Sequence, residues 1–301
     1  MSGSVTVRVP AKVNVQLAVG AARPDGFHDL ANVFLAVGLY DEVTVTPADA
    51  LRVTCSGPDA DQVPLDASNL AARAAAALAE RHGIAPAVHI HIAKDIPVAG
   101  GMAGGSADAA GALLACDALW STGAGREELL ALCAELGSDV PFSLVGGAAL
   151  GVGRGEQLTP VEAGGTFHWV FAVADGGLST PAVYREFDRL TADTRVPPPA
   201  ASPALLAALR AGDPTALAGA LSNDLQAPAL SLRPSLAATL AAGTAAGALA
   251  ALVSGSGPTT AFLTEDEASA HKVADALTAS GTCRTARIAT SPAPGATILR
   301  P

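Results

Sequence analysis

The sequence is built around one glycine-rich stretch, Pro97-Val98-Ala99-Gly100-Gly101-Met102-Ala103-Gly104-Gly105-Ser106. Alternating apolar residues predict a strand over 87–93 before it, and an alanine-rich run predicts a helix after it to about Trp120. Without side chains, successive backbone N–H groups can converge on a phosphate, and the first helical turn adds free N–H groups and the positive end of its dipole. The stretch is therefore either a phosphate-binding loop or a tight strand-to-helix turn.

The glycine-rich stretch does not match the sequence motifs of two familiar nucleotide-binding loops. A Walker A loop needs a lysine after its last glycine, whereas Ser106 stands there. A dinucleotide-binding fingerprint needs G-x-G-x-x-G close to the first strand, whereas this stretch lies a third of the way along the chain. Ser106 falls in the first turn of the predicted helix, where its hydroxyl could contact a phosphate or Mg2+.

Strands and helices alternate on both sides of this stretch. Before it, strands are predicted over 5–9, 13–19, 33–39, 42–46 and 51–56, and a helix capped by Ser68 or Asn69 runs to His82 with Gly83 as its terminator. After it, helices are predicted over 126–136, 203–211, 214–220, 233–242 and 266–279, and strands over 148–152, 169–174, 248–253, 260–263 and 283–289. We expect an α/β or α+β protein of two layers, with domains over residues 1–160 and 161–301.

Composition restricts the possible functions. Half of the 301 residues are hydrophobic and 15% are charged, which is typical of a folded protein. The formal net charge of -10, with only 18 lysines and arginines, argues against a broad nucleic-acid surface. No apolar run reaches the roughly 18 residues that a membrane span needs, and no secretory signal is visible. A small anionic ligand stays compatible, because it needs only a local nest of N–H groups.

The cysteines indicate the cellular compartment. Cys55, Cys116, Cys133 and Cys283 form no C-x-x-C pair and show no metal-type spacing. They are therefore predicted to be free thiols in a reducing environment. We expect a cytoplasmic protein, a monomer or weak homodimer, with no membrane or nucleic-acid partner.

Two segments near the start carry candidate ligand-binding side chains. Pro10-Ala11-Lys12-Val13-Asn14 places one of only three lysines after a strand-breaking proline, although a lysine at a strand end is commonly a surface residue. Asp25-Gly26-Phe27-His28 is typical of a turn that leads into a core strand. The same segment also offers an aromatic face for stacking beside a polar edge, which suits a nucleobase.

Two later segments are equally ambiguous on their own. Gly137-Ser138-Asp139-Val140-Pro141-Phe142 places an aspartate just beyond a predicted helix C-terminus, where the dipole does not favour a carboxylate. A capping or turn role is the simpler interpretation of Asp139. Ser254-Gly255-Ser256-Gly257-Pro258-Thr259 joins two predicted strands and could be a plain hairpin turn.

Taken together, these motifs resemble those of the GHMP kinases, in the same order and over nearly the whole chain. The resemblance is carried by the Pro-Ala-Lys-x-Asn start, the Gly-Gly-Ser end of the glycine-rich stretch and the Ser-Gly-Ser-Gly-Pro-Thr turn. Further segments are similar to the branch that acts on 4-diphosphocytidyl-2-C-methyl-D-erythritol in non-mevalonate isoprenoid synthesis: Asp25-Gly26-Phe27-His28, Ser138-Asp139-Val140-Pro141-Phe142, Ser179-Thr180-Pro181 and Asn223-Asp224-Leu225.

The resemblance implies an α+β fold of two domains, an N-terminal ribosomal-protein-S5-like ATP-binding domain and a C-terminal ferredoxin-like α/β domain. It implies a kinase that uses ATP and Mg2+ to phosphorylate the 2-hydroxyl of that cytidyl diphosphate sugar alcohol. Lys12 and Asp139 match the catalytic pair, with Asp139 receiving the hydroxyl proton and Lys12 stabilising charge. Asn14, Phe27, His28 and Thr180 match substrate contacts, with Phe27 stacking on cytosine. The ATP loop corresponds to Pro97, Val98, Ala99, Gly100, Gly101, Met102, Ala103, Gly104, Gly105, Ser106 and Ala107.

Three residues depart from the family pattern within this loop. Met102 stands where leucine is usual, and Ala103 stands for a glycine. Ala107 replaces a second serine and so removes a possible hydroxyl ligand of phosphate or Mg2+. Asp108 could compensate for that loss, or it could simply be a first-turn residue that the helix dipole favours.

Other functions stay open at this point. A homoserine or mevalonate-type GHMP kinase is disfavoured by the segment Asp25-Gly26-Phe27-His28. A non-catalytic sugar or nucleotide sensor on the same fold is disfavoured by the presence of both Lys12 and Asp139. A Rossmann-type oxidoreductase is disfavoured by the position of the glycine-rich stretch.

Overall fold

The computed structural model describes residues 3–299. Its strands are, in chain order, β1 (Val5–Ala22), β2 (His28–Pro47), β3 (Arg52–Ser56), β4 (Val88–Ala93), β5 (Ala148–Val152), β6 (Gln157–Pro160), β7 (Phe167–Val173), β8 (Ser222–Asn223), β9 (Ala250–Val253), β10 (Thr260–Thr264), β11 (Thr285–Ser291) and β12 (Thr297–Leu299). Its α-helices are α1 (Leu70–Arg81), α2 (Gly104–Trp120), α3 (Arg126–Leu136), α4 (Val140–Val145), α5 (Thr180–Thr191), α6 (Pro203–Ala211), α7 (Pro214–Ala218), α8 (Gln226–Leu232), α9 (Leu236–Ala245) and α10 (Glu267–Ser280).

Two long antiparallel strands, β1 and β2, form the base of the structure. They pair along most of their length, from Val5 opposite Val45 to Ala22 opposite His28. The separate strands predicted over 5–9 and 13–19 are therefore one strand, since Pro10 lies at a register shift and does not end it. The patterns at 33–39 and 42–46 likewise belong to β2 alone.

The first sheet has eight strands and includes segments from both ends of the sequence. Its order is β12-β1-β2-β4-β3, with β5 paired to β2, β6 to β5 and β8 to β1. β12 pairs antiparallel with β1, where Thr6 lies opposite Leu299. The division into domains at residue 160 stays a prediction, and late segments of the chain complete this sheet.

The second sheet has four antiparallel strands in the order β11-β7-β10-β9. α9 and α10 pack against it around a core that includes Val170, Phe262 and Val273. The larger core lies between the first sheet and the helices α1, α2 and α3. Helices thus cover predominantly antiparallel sheets, which is an α+β arrangement.

Helices α1 and α2 hold the glycine-rich stretch in place. Asn69, and not Ser68, caps α1, because its Oδ1 accepts N–H groups of Ala71 and Ala72 at 2.8 and 3.4 Å. α2 is buried on nearly all sides over its first ten residues, as expected for a helix without a polar face. Its N-terminus is therefore held firmly, with Gly104 and Ala107 buried and Gly105 exposed.

Three helices and three short strands were not predicted: α4, α5, α8, β6, β8 and β12. α5 matters most for the site. It begins at Thr180 with Pro181 in its first turn, and it buries Val183 and Phe187 against Leu17 and other residues of β1 and β2.

Candidate active site

One cavity of about 810 Å³ lies between the glycine-rich stretch, β1, β2 and α5. Its volume is in the range of roughly 300–1,000 Å³ that is common for small-molecule sites. Most of the predicted site residues line it: Lys12, Asn14, Phe27, His28, Ala99, Gly100, Gly101, Ala103, Gly104, Gly105, Ser106, Asp139 and Thr180. Residues that are far apart in the sequence are thus brought to one place.

Four members of the predicted ATP loop do not line this cavity: Pro97, Val98, Met102 and Ala107. The side chains of Met102 and Ala107 are fully buried in the main core behind the loop. Substitution of the usual leucine by Met102 therefore changes core packing and not a ligand contact.

The backbone of the glycine-rich stretch turns through left-handed conformations at Ala99, Gly101 and Ala103, where φ is +51°, +78° and +61°. A residue with a Cβ atom loses about 1–2 kcal/mol in this region. Ala103 adopts a conformation that a glycine would take without this cost, so the departure from the family's glycine leaves strain in the loop.

The turn from Ser254 to Thr259 connects β9 to β10 and also packs on the glycine-rich stretch. Ser254 Oγ donates to Gly101 O at 3.1 Å, and Thr259 N donates to Gly100 O at 3.3 Å. A Cβ on Gly101 would lie 2.1 Å from Ser254 O, so only glycine fits there. The hairpin thus also supports the loop.

Lys12 lines the cavity and is buried. Its Nζ donates to Asn14 Oδ1 at 2.6 Å and to Gly101 O at 2.9 Å, and it lies 3.7 Å from Asp139 Oδ2. Burial lowers the pKa of Lys12 below its ordinary value, while the charge of Asp139 opposes that effect. Asn14 and Gly101 thus accept two of the three ammonium donors, and Asp139 is near enough for charge attraction but not for a direct hydrogen bond.

Asp139 is placed differently from the sequence-based interpretation. It follows α3 but is the N-cap residue of the short helix α4, so it is not simply a carboxylate at a helix C-terminus. Its side chain makes no capping hydrogen bond and is 32% exposed. The carboxylate is therefore available to a ligand in the cavity.

Asn14 is fixed by a residue that sequence reasoning missed. Asn14 Nδ2 donates to Asn32 Oδ1 at 2.7 Å, and both side chains are buried. This bond orients the Asn14 oxygen toward Lys12. A continuous polar row thus runs from Asn32 through Asn14 and Lys12 to Asp139.

The far side of the cavity is aromatic. His28 is buried, and its Nε2 lies 2.8 Å from Asp188 Oδ1. Its ring centroid lies 5.0 Å from that of Tyr184. Phe27 is 49% exposed, and the Arg154 guanidinium lies 5.1 Å from its ring centroid. Phe27 and His28 are thus contacted by different side chains, Phe27 by Arg154 and His28 by Tyr184 and Asp188.

Besides Asn32, four charged or aromatic residues of the cavity were not identified from the sequence: Arg154, Tyr184, Arg185 and Asp188. Three of them lie on α5, where Tyr184 and Asp188 are four residues apart and share one helix face. Recognising α5 as a helix would have exposed that signal.

Asp108 does not compensate for the missing serine at 107. It is buried, with its Oδ2 accepting from Lys94 Nζ at 2.8 Å, and it does not line the cavity. Burial raises the pKa of Asp108 to about 7, although the Lys94 charge works against the increase. The suggestion that it replaces a phosphate or Mg2+ ligand is therefore wrong.

Comparisons with known proteins fit this geometry. GHMP kinases N terminal domain matches residues 69–147, and GHMP kinases C terminal matches residues 205–283. A protein of Streptomyces avermitilis named 4-diphosphocytidyl-2-C-methyl-D-erythritol kinase is 80% identical over 98% of this chain and 100% of its own length. The chain belongs to the 4-diphosphocytidyl-2-C-methyl-D-erythritol kinase family. As a GHMP kinase, it is an ATP-dependent phosphotransferase that acts on a small molecule.

Solved structures agree with this kinase family. A crystal structure of 4-(cytidine 5'-diphospho)-2C-methyl-D-erythritol kinase superposes with a TM-score of 0.77 at 34% identity, covering 94% of this chain and 98% of the other. A homoserine kinase from Cytophaga hutchinsonii gives a TM-score of 0.76 at 19% identity over 99% of this chain and 98% of its own, which shows a shared fold alone. The predicted two-domain GHMP kinase fold is confirmed. Over residues 3–299, no helix combines the length and apolarity needed to cross a membrane.

Proposed function

We propose that the chain transfers the γ-phosphoryl group of ATP to the 2-hydroxyl of 4-diphosphocytidyl-2-C-methyl-D-erythritol, giving the 2-phosphate and ADP. One observation carries the proposal: the Lys12–Asp139 pair lies in the same cavity as the glycine-rich stretch and the Phe27–His28 wall. A phosphoryl transfer needs both substrates to meet at such a point.

The glycine-rich stretch binds the phosphates of ATP. Gly100, Gly101, Gly104 and Gly105 bring backbone to the cavity surface without side chains, and α2 adds free N–H groups at its N-terminus. The loop needs no lysine of its own for this contact, because the N–H groups and the helix dipole already favour an anion.

Mg2+ fits this site as a companion of the nucleotide. In residues 3–299 there is no cluster of three or more His, Cys, Asp or Glu side chains that could hold a metal by itself. Mg2+ commonly keeps several waters and uses substrate phosphates with few protein ligands. The Ser106 hydroxyl, which lines the cavity beside the loop, would hold it, and the ion would supply charge neutralisation on the phosphates.

The aromatic wall binds the cytidine. Phe27 offers a half-exposed ring for stacking, and the Tyr184 ring lies nearby against His28. Asp188 fixes the His28 ring at one nitrogen, so the ring can present a defined edge to the base. Thr180, whose Oγ1 lies 2.8 Å from Ser256 Oγ, also lines the cavity and is a further substrate contact.

The reaction takes place between Asp139 and Lys12. Asp139 accepts the proton of the substrate 2-hydroxyl. At the same time the substrate 2-oxygen forms a bond to the γ-phosphorus, and the bond from the γ-phosphorus to the oxygen that bridges it to the β-phosphate breaks, which releases ADP. Lys12 stabilises the negative charge that spreads over the transferred group. Asn14 and Gly101 hold the ammonium in position, so no reorganisation is needed during transfer.

The assembly that we propose is simple. Residues 1–160 carry the glycine-rich stretch and residues 161–301 carry α5, and both parts line the cavity. One chain therefore supplies a full set of candidate residues, which fits a monomer or weak homodimer. The four free cysteines, two of them buried, fit a reducing cytoplasm.

An ADP-release assay across alcohols tests the proposal. Purified protein is given ATP and Mg2+ with 4-diphosphocytidyl-2-C-methyl-D-erythritol, homoserine or mevalonate. We expect ADP release with the cytidyl substrate alone, and phosphorus NMR should locate the new phosphate on the 2-oxygen. Comparable turnover of homoserine or mevalonate contradicts the substrate assignment. ATP binding without turnover of any alcohol supports the rival sensor function.

A further inference from the structure

Three charged side chains meet in the protein interior behind the glycine-rich stretch. Lys94 Nζ lies 2.5 Å from Asp41 Oδ2 and 2.8 Å from Asp108 Oδ2. Each of the three residues is at most 4% exposed, and none of them lines the cavity. We call Asp41, Lys94 and Asp108 the buried triad.

The buried triad joins three separate segments of the chain. Asp41 lies in β2, Lys94 directly follows β4, and Asp108 lies at the start of α2. The second oxygen of Asp41 accepts the backbone N–H groups of Asp95 and Ile96 at 2.7 and 2.8 Å. The triad therefore fixes the chain at two points: at Asp95 and Ile96, immediately before the glycine-rich stretch, and at Asp108, immediately after it.

The triad also lies close to the loop itself. A Cβ placed on Gly104 would come within 2.9 Å of Lys94 Nζ, so the ammonium packs directly on the first residue of α2. Any displacement of Lys94 moves the end of β4 and the start of α2 relative to each other. Those two points are the anchors of the loop between them.

Stability alone gives little reason for such a cluster. Removing a charge from water costs several kcal/mol even after relaxation, and apolar side chains of similar volume are often as stable as a buried ion pair. Geometry gives a better reason. The loop holds Ala99 and Ala103 at positive φ, and strained conformations of this kind persist only where their surroundings determine them fully.

We propose that Asp41, Lys94 and Asp108 are positioning residues for the nucleotide: they set the shape of the glycine-rich stretch and so control ATP affinity without touching ATP. The inference rests on the proposed function in one respect, that this stretch binds the phosphates of ATP. It assigns no part of the proton transfer or of cytidine binding to the triad.

Variants of two aspartates on α2 test the proposal. Asp108→Ala removes the contact to Lys94, whereas Asp108→Asn keeps an acceptor oxygen at the same place. Asp117→Ala is the control, because Asp117 lies near the other end of the same helix and accepts the Ala124 N–H at 3.0 Å. Its loss should destabilise the helix without reaching the loop.

The measurements are the KM for ATP, the KM for the cytidyl substrate, the melting temperature, and calorimetric binding of a non-hydrolysable ATP analogue with Mg2+. Asp108→Ala should raise the KM for ATP and the Kd of the ATP analogue about tenfold or more, because small displacements of a positioned group have large effects. It should change the KM for the cytidyl substrate less than about twofold. Asp108→Asn should restore most of the nucleotide affinity. Asp117→Ala should lower the melting temperature and leave both KM values unchanged.

Two results overturn the proposal: an unchanged nucleotide affinity in folded Asp108→Ala, or an equal loss in Asp117→Ala at matched melting temperature. If Asp108→Ala does not fold, Lys94→Met combined with Asp41→Asn and Asp108→Asn removes all three charges together, leaves no unpaired buried charge, and gives a second measurement of nucleotide affinity. Analogue binding is independent of turnover. A chain without kinase activity would therefore refute the proposed reaction while leaving this test intact.

Discussion

The Asp139 carboxylate lies 3.7 Å from the Lys12 ammonium, whereas Asn14 Oδ1 accepts a hydrogen bond from that ammonium at 2.6 Å. The longer separation exceeds the usual 2.7–3.2 Å of a direct hydrogen bond. Lys12 is therefore fixed mainly by its hydrogen bonds to Asn14 and to Gly101 O, and the Asp139 carboxylate makes no hydrogen bond to it. A carboxylate that is near a cation but not bonded to it is suited to receive a proton from a bound alcohol.

Replacing this carboxylate should affect the chemical step selectively. We expect Asp139→Asn and Asp139→Ala to lower kcat by about 10²–10⁴-fold, because a positioned general base contributes an effect of that size. The KM for ATP should stay within about twofold, since the glycine-rich stretch is untouched. Steady-state kinetics with Ser138→Ala as the neighbouring control make the measurement. A near-normal kcat in Asp139→Asn would remove Asp139 from the mechanism.

Lys12 should give the reaction an alkaline limit. Burial lowers the pKa of Lys12 from 10.5, so the folded protein binds fewer protons there than the unfolded chain does at alkaline pH. The cost of burying the ammonium is thus present at lower pH and is relieved as the pH rises above the folded pKa. Because transfer needs the charged form, kcat/KM should fall on the alkaline side at a pH below 10.5.

The matched variant for this limit is Lys12→Arg, since a guanidinium stays charged at every accessible pH. We expect it to have a lower kcat, because the longer planar group fits the Asn14 and Gly101 acceptors poorly, and to lose the alkaline limb. A limb that persists unchanged in Lys12→Arg would assign it to another group.

His28 and Asp188 should act as one unit in substrate binding. His28→Ala should raise the KM for the cytidyl substrate by about tenfold to a hundredfold and barely change the KM for ATP, because a site built to bond a polar edge loses 1–3 kcal/mol when one partner is removed. Asp188→Ala should have a smaller effect in the same direction, since it removes the group that orients the ring.

The double variant of His28 and Asp188 decides whether the two residues are coupled. If Asp188 works only through His28, the combined effect should equal that of His28→Ala alone. Additive effects would show that Asp188 contacts the substrate independently. Equal losses for ATP and the alcohol in His28→Ala would contradict the nucleobase assignment.

Two glycines of the loop should respond differently to alanine. Gly101→Ala should destabilise the protein by more than about 3 kcal/mol, because its Cβ would lie 2.1 Å from Ser254 O at a φ of +78°. Gly105→Ala should keep or raise the melting temperature, since the new Cβ meets only Leu70 Cδ1 at 3.6 Å and alanine favours the helix by roughly 0.5–1 kcal/mol.

Calorimetry and ATP kinetics separate the two effects. Gly105 lines the cavity, so Gly105→Ala should raise the KM for ATP although the protein is at least as stable as the parent. An unchanged KM for ATP in that variant would mean that phosphates do not approach this position closely.

Local signals in the sequence were sufficient for much of the fold. The Asn69 cap, the Gly83 terminator and the alternation along β4 each depend on neighbouring residues, and the structure has them where expected. The family motifs were equally informative, because each one is a short contiguous segment.

Long-range pairing was not predictable in this way. His28 and Asp188 are 160 residues apart, and an aspartate on an unpredicted helix carries no local sign of its partner. The buried triad is a stronger case. No local sequence signal indicates that Lys94 and Asp108 meet, and only the packing of α2 against β2 and β4 removes them from water.

The pairing of β12 with β1 has a consequence for how the chain folds while it is being synthesised. β8 and β12, which cover the second edge of β1, are synthesised about 200 residues or more after it. An unpaired strand edge invites association with other chains, and contacts of large sequence separation slow folding. A chain that lacks residues 297–299 therefore carries an open sheet edge beside Thr6, Val7 and Arg8, and that edge stays free to pair with other chains until β12 pairs with β1.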